Sequence, residues 1–243
     1  MSSPMVLYAR TLQASATTLG IMTSMMPLLV IFQIPAAQYV HRVGYKRFVY
    51  GGWGIRVLFV FGMAFIPLLI FLDEATRLAL LLFFLFAFNL SRGISSCAWL
   101  PWITSLVPVS IRGKYLARDA AFVNVGSFLT LLISAVCLGE KPRPWQFTLL
   151  FAFSAIMGAT SLIFLKRIPE GETQAQIRES TTRVPWREIA RYTPFRKLLF
   201  MLAAWSLASG GLNVFTIAFL KTETGLAVGK ILFLSSTAFL GGL

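Results

Sequence analysis

Between Thr11 and Val40 the chain runs for 30 residues without an acidic or basic side chain. No other feature restricts the fold as strongly. A helix crossing ~30 Å of hydrocarbon needs about 20 predominantly apolar residues. In hydrocarbon each backbone N–H and C=O must find its partner inside its own segment, so such a run is helical. The alternating stretches of about 10 residues that build a membrane β-barrel are not visible in the sequence. The run also exceeds the ~7–15 apolar residues of a secretory signal, and it reads as a true span.

Charged residues bound further apolar runs at about 48–72, 78–105, 118–138, 145–165 and 198–220, after a first span at about 14–40. A seventh begins near Ile231 and has 13 residues through Leu243, too few to cross a bilayer at about 1.5 Å per residue. Of the 243 residues 57 % are hydrophobic and 13 % charged, against about 25 % charged in ordinary soluble domains. The fold class is therefore all-α integral membrane, a multi-span helical bundle.

The net charge of +13 does not point to nucleic acid, because the basic residues sit in short clusters between apolar runs. Segments 41–47, 111–118 and 166–197 carry fourteen Lys and Arg, against six at the opposite ends of the spans; Arg56 and Arg92 lie within spans. The excess places those three segments in the cytoplasm, as in a multi-pass protein of the cell (inner) membrane. The N-terminus then falls outside, with about a dozen residues before the first span. MSSPMVLYAR is accordingly expected to be the end of a preceding helix plus a short loop. With the short last run, this predicts a fragment of a longer protein, incomplete at both ends, lacking part of its own fold and inactive alone.

Residues 166–197 form the clearest boundary. KRIPEGETQAQIRESTTR is polar and apolar-poor, a linker. In VPWREIARYTPFRK, Pro185 can open a helix that places Trp186, Ile189 and Ala190 on one face, suited to an anionic inner leaflet. The expected organisation is a bundle over 1–165, a basic linker with a short interfacial helix over 166–197, and the start of a second bundle over 198–243. Cys97 and Cys137 lie in apolar runs without metal-ligand spacing and read as buried thiols. One histidine and nine scattered carboxylates predict no metal and no cofactor. They also weigh against a membrane enzyme, which needs clustered acid–base or nucleophilic groups.

The loop after the first span reads AAQYVHRVGYKR. It is a tight cationic turn in which Gly44 can take a left-handed conformation. It resembles the signature loop between the second and third helices of the major facilitator superfamily. Arg42, Gly44, Lys46 and Arg47 match that pattern; Ala37 stands where glycine is usual and His41 where aspartate is usual. VPVSIRGKYLARDAAF is similar to the family's fourth-to-fifth loop in Pro108, Arg112 and Gly113, with Asp119 beside them. The resemblance implies a cytoplasmic gate at these residues, altered at His41, since a neutral histidine is a weaker and pH-sensitive partner. It implies that the chain spans family helices two to seven and part of eight. It further implies a secondary transporter that moves a small solute by alternating access, with a seven-helix receptor or membrane-embedded enzyme as the alternatives.

Arg92 lies in what would be the fourth family helix, where an embedded arginine recurs. An arginine at mid-membrane costs roughly 2.5–3.5 kcal/mol on insertion scales, so it faces a cavity or a partner. Three partners are open: an anionic substrate, backbone and amide oxygens, or a carboxylate from the expected missing half. Asn89, Ser91, Ser95 and Ser96 give its neighbourhood a polar face. Candidate cavity residues are Arg92, Asn89, Ser96, Arg56, Asn124 and Asn213, although Arg56 lies where it can snorkel. Asn124, Asn213, Gln33 and Ser206 also suit interhelical hydrogen bonds. GGWG at 51–54 and SGG at 209–211 read as close-packing or hinge points.

Overall fold

The computed structural model describes residues 3–139, 142–170, 188, 191–209 and 212–240. The α-helices are α1 (Ser3–Thr11), α2 (Ala16–Leu29), α3 (Gln33–Val43), α4 (Tyr45–Phe65), α5 (Glu74–Ser96), α6 (Trp99–Leu106), α7 (Val109–Leu138), α8 (Pro144–Arg167), α9 (Thr193–Ser209), α10 (Leu212–Thr222) and α11 (Val228–Leu240). Five segments among the described residues are long and apolar enough to cross a membrane: Ala16–Val40, Tyr45–Leu68, Glu74–Ser96, Val109–Leu138 and Pro144–Arg167. These match the first five expected spans in number and order. The sixth expected span is divided between α9 and α10, and the glycines between them, 210 and 211, lie outside the described residues. Of the interfacial helix expected around Pro185 to Ala190 only Glu188 is among the described residues, and it is helical; Trp186, Ile189 and Ala190 lie outside them.

Three boundaries differ from expectation, each for a backbone reason. The first span is not one straight helix. Pro27 sits inside α2, Pro35 inside α3, and Val30–Phe32 between them is 3-10, because each proline removes a backbone donor from the helical ladder. The third expected span, 78–105, is two helices. It starts earlier, where Asp73 caps α5 by accepting from the Thr76 amide at 3.1 Å, and it breaks at Cys97 and Ala98, with Pro101 in the first turn of α6. The basic segment Ile111–Arg118 is not a loop but the opening turns of α7, which starts directly after Pro108.

Two cores mark the two ends of the bundle. At the basic end, Val40, Val49, Ala98, Trp102 and Leu165 pack together, joining α3, α4, α6 and α8. The Trp102 indole is fully buried and donates to the Pro169 carbonyl at 3.1 Å. The larger core, at the other end, is centred on α1. Val6, Leu7, Tyr8 and Ala9 are buried, and the Tyr8 ring lies 5.0 Å from Phe147 and 5.8 Å from Phe151. Ile217 of α10 and Val228, Ile231 and Leu232 of α11 join this core. The Gly229 amide donates to the Gly139 carbonyl at 3.0 Å, which fixes α11 along α7.

Small residues set how closely the helices approach, as is common in membranes. A methyl group on Gly52 of α4 would fall 2.2 Å from Ser95 Cβ of α5, and one on Gly93 would fall 2.2 Å from the Leu29 carbonyl oxygen. Of the three glycines in GGWG only Gly52 is a close-packing point; Gly51 and Gly54 face open space. Outward side chains such as Leu28, Ile70, Phe71 and Val136 are exposed and apolar, the surface a bilayer covers. The thiols depart from expectation: Cys97 is only half-buried and Cys137, on an outer face of α7, is exposed. Both are free.

Candidate functional site

A cavity of about 650 Å³ opens between α2, α4, α5, α7 and α8, with Pro4 and Met5 of α1 at its edge. Along α5 its lining residues are Leu85, Phe88, Asn89 and Arg92, the i, i+3, i+4, i+7 stripe of one helix face. Arg92 is the last of them toward the basic end. Met22, Thr23 and Met26 face it from α2, and Val60 and Met63 come from the far half of α4. The cationic group thus occupies one end of a largely apolar chamber.

Arg92 is half-buried, and its Nη1 lies 3.6 Å from Met26 Sδ, a weak acceptor. No other bond of its guanidinium is recorded among the described residues. Asn89 is 7 % exposed and donates through Nδ2 to the Leu85 carbonyl at 2.8 Å. Arg56 lies off the cavity. Its guanidinium stacks 4.1 Å over the Trp53 ring, and its Nε donates to the Gly52 carbonyl at 3.3 Å. Trp53, Trp99 and Trp102 continue as a ladder toward the basic end, at 5.4 and 6.2 Å between rings. Ser91 reaches across from α5 to donate to the same Gly52 carbonyl at 3.1 Å.

Of the other expected cavity residues, Ser96 turns its hydroxyl to its own helix, donating to the Gly93 carbonyl at 3.0 Å. Asn124 is half-buried on α7, next to the lining residue Val123 but not itself in the wall. The Asn213 side chain lies outside the described residues. The structure therefore brings Arg92 and Asn89 together at one wall and leaves Ser96, Arg56 and Asn124 off it.

The residues expected to form a gate lie at the basic end. Gly44, φ 89°, separates α3 from α4, and its amide donates to the Val40 carbonyl at 2.8 Å. Arg42 lies over Tyr39 with its charge 6.0 Å from the ring, and Arg47 is exposed while Lys46 is half-buried. The His41 side chain is outside the described residues. Arg112 folds back over the end of α6, its Nη2 donating to the carbonyls of Thr104 at 2.7 Å and Val107 at 3.3 Å, where a cation complements the helix C-terminus. Gly113 has open space around it, and Asp119 is exposed. One neighbour of this turn was not legible beforehand. The Glu170 carboxylate, just past α8, sits against Gly44, with Oε1 2.6 Å from where a Cβ would be. It is 126 residues away in sequence, so no local pattern announces it.

A bundle of spanning helices folded around a largely apolar chamber with one charge at its end is an architecture suited to a membrane solute carrier. The chain belongs to the Major Facilitator Superfamily, whose family model matches residues 1–243. No curated protein and no solved structure matches it. Membership makes it a multi-pass membrane transporter in general, and favours neither the receptor nor the membrane-enzyme alternative.

Proposed function

We propose that this protein is a secondary transporter of a small anionic solute, working by alternating access in the cell membrane with its basic end in the cytoplasm. Residues 1–165 serve as one rocking bundle, 166–197 as the linker lying on the anionic leaflet, and 198–243 as the beginning of a second bundle. The observation that carries the reading is Arg92, a guanidinium at the end of a membrane cavity whose recorded partner is a thioether. A charge kept there at several kcal/mol of insertion cost needs a use. At the basic end, Arg42, Gly44, Lys46, Arg47, Arg112, Gly113 and Asp119 act with His41 as the gate.

The test is uptake of labelled anions into proteoliposomes. Arg92→Ala removes a charge-assisted contact worth about 1.5–3 kcal/mol, so apparent affinity falls about 10–100-fold. Arg92→Lys keeps the charge, loses the planar fork, and falls between. Uptake unchanged by both substitutions rules out the assigned role of Arg92.

A further inference from the structure

The wall of the cavity carries more information than the charge at its end. Methionine is its commonest side chain: Met5, Met22, Met26, Met63 and Met157, five of the eight in the chain. They come from α1, α2, α4 and α8, so the chamber assembles them from across the sequence. Phe88, Phe151 and Phe153 add aromatic area.

The polar side chains of the wall have largely spent their donors at home. Thr23 donates to the Leu19 and Gly20 carbonyls at 3.0 and 2.9 Å. Ser127, Thr130 and Ser134 donate to the carbonyls four residues back at 2.8, 2.7 and 2.7 Å. Asn89 bonds the Leu85 carbonyl. Among the described lining residues this leaves Arg92, with five N–H donors, Ser154, and the second N–H of Asn89 as donors recorded without a backbone acceptor. The hydroxyl oxygens and Asn89 Oδ1 can still accept, but a solute with several acceptor groups, above all one with several negative charges, would leave most of them unmatched here. Each such group lowers affinity on the order of tenfold.

Resting on the anion reading, we propose that the substrate is an amphipathic monoanion: one carboxylate on Arg92, with an apolar body lying along Met22, Met63, Phe88 and Phe151. The axis of the chamber fits this. Arg92 and Met26 mark its basic end, while Met5, Met22, Met63 and Phe151 belong to the large core at the other end. The volume of about 650 Å³ lies within the ~300–1,000 Å³ of small-molecule sites. Thioether side chains are flexible and polarizable, so the wall accepts a range of body shapes and the charged end sets the pose.

The test is equilibrium binding of labelled 4-phenylbutyrate to the full chain in lipid nanodiscs, with binding to empty nanodiscs subtracted. Competitors are phenylacetate, 3-phenylpropionate, 6-phenylhexanoate, citrate, gluconate and the neutral 4-phenylbutanol. Phenylalkanoates should compete about fourfold better per added methylene. Citrate and gluconate should not compete, and the alcohol should be at least roughly tenfold weaker than the acid. Arg92→Gln should erase the difference between acid and alcohol while leaving the alcohol unchanged. Competition by citrate or gluconate as strong as by the phenylalkanoates overturns the amphipathic class but keeps the anion reading. Equal competition by acid and alcohol in the unaltered protein overturns both. A lack of saturable phenylbutyrate binding overturns the inference, and labelled citrate then tests the anion reading alone. The ligand series in the unaltered protein decides the matter even if Arg92→Gln fails to fold.

Discussion

Gly93→Ala is the substitution whose cost the structure specifies most directly. Gly93 is buried where α5 crosses the broken first span, and an added methyl would meet the Leu29 oxygen at 2.2 Å and the Leu29 carbonyl carbon at 2.9 Å. Carbon–oxygen contacts between helices settle near 3.3–3.6 Å, so the two backbones must part by about 1.2 Å. The obstacle is main chain and has no rotamer to change. Overpacking of this kind costs about 1–3 kcal/mol, and a backbone obstacle belongs at the upper end. Alanine recovers up to about 1 kcal/mol of helix propensity, leaving a net loss of about 2 kcal/mol. Gly113→Ala is the matched control. It is also helical but faces open space, so it should stabilise by up to about 1 kcal/mol. Reversible unfolding in mixed micelles, followed by tryptophan fluorescence, measures both. The displacement also pushes Leu29 and its neighbour Met26 away from Arg92, so ligand affinity should fall along with stability. If Gly93→Ala is as stable as Gly113→Ala, the close crossing of α2 and α5 is wrong, and with it the wall that holds Arg92.

Two further substitutions probe the ends of the bundle. Gly44→Ala meets both a positive φ and the Glu170 carboxylate; it should destabilise by about 1–3 kcal/mol, and adding Glu170→Ala should restore only the steric part in the same unfolding assay. Asp73 caps α5 through the Thr76 hydroxyl and amide, and these bonds hold its carboxyl below the ordinary value of 3.8. A carboxyl depressed on folding contributes stability in full above its unfolded value, and that contribution fades as pH falls through the lower, folded value. Unfolding of the unaltered protein and of Asp73→Ala should therefore differ at neutral pH, and the difference should shrink as pH falls below the ordinary value of 3.8 and the carboxylate is protonated; a difference that stays constant into acid would refute the capping role.

The long uncharged runs determined the class of fold by themselves, because a bilayer leaves a chain no option but to close its backbone hydrogen bonds within helices. The same runs gave five spans in the right order, and the cationic turn with Gly44 pointed to the family. Arg92 stood out as a candidate cavity residue for an equally local reason, a charge where none is cheap, and the structure places it in the cavity wall. The breaks at Val30–Phe32 and at Cys97–Ala98 are recorded in the sequence as Pro27, Pro35 and Pro101. The apolar pattern runs through them unaltered, so hydropathy alone draws one span where the backbone makes two pieces. What only the tertiary structure decided are the relations between segments. Five methionines from four helices became one wall, Glu170 came to rest on Gly44, and Arg56 stacked on Trp53 and left the cavity to Arg92. Composition is a property of each segment, whereas which face of a uniformly apolar helix turns inward is set by its neighbours. In lipid that choice depends on small residues at close crossings, Gly52 against Ser95 and Gly93 against Leu29, and not on any contrast of apolar and polar faces.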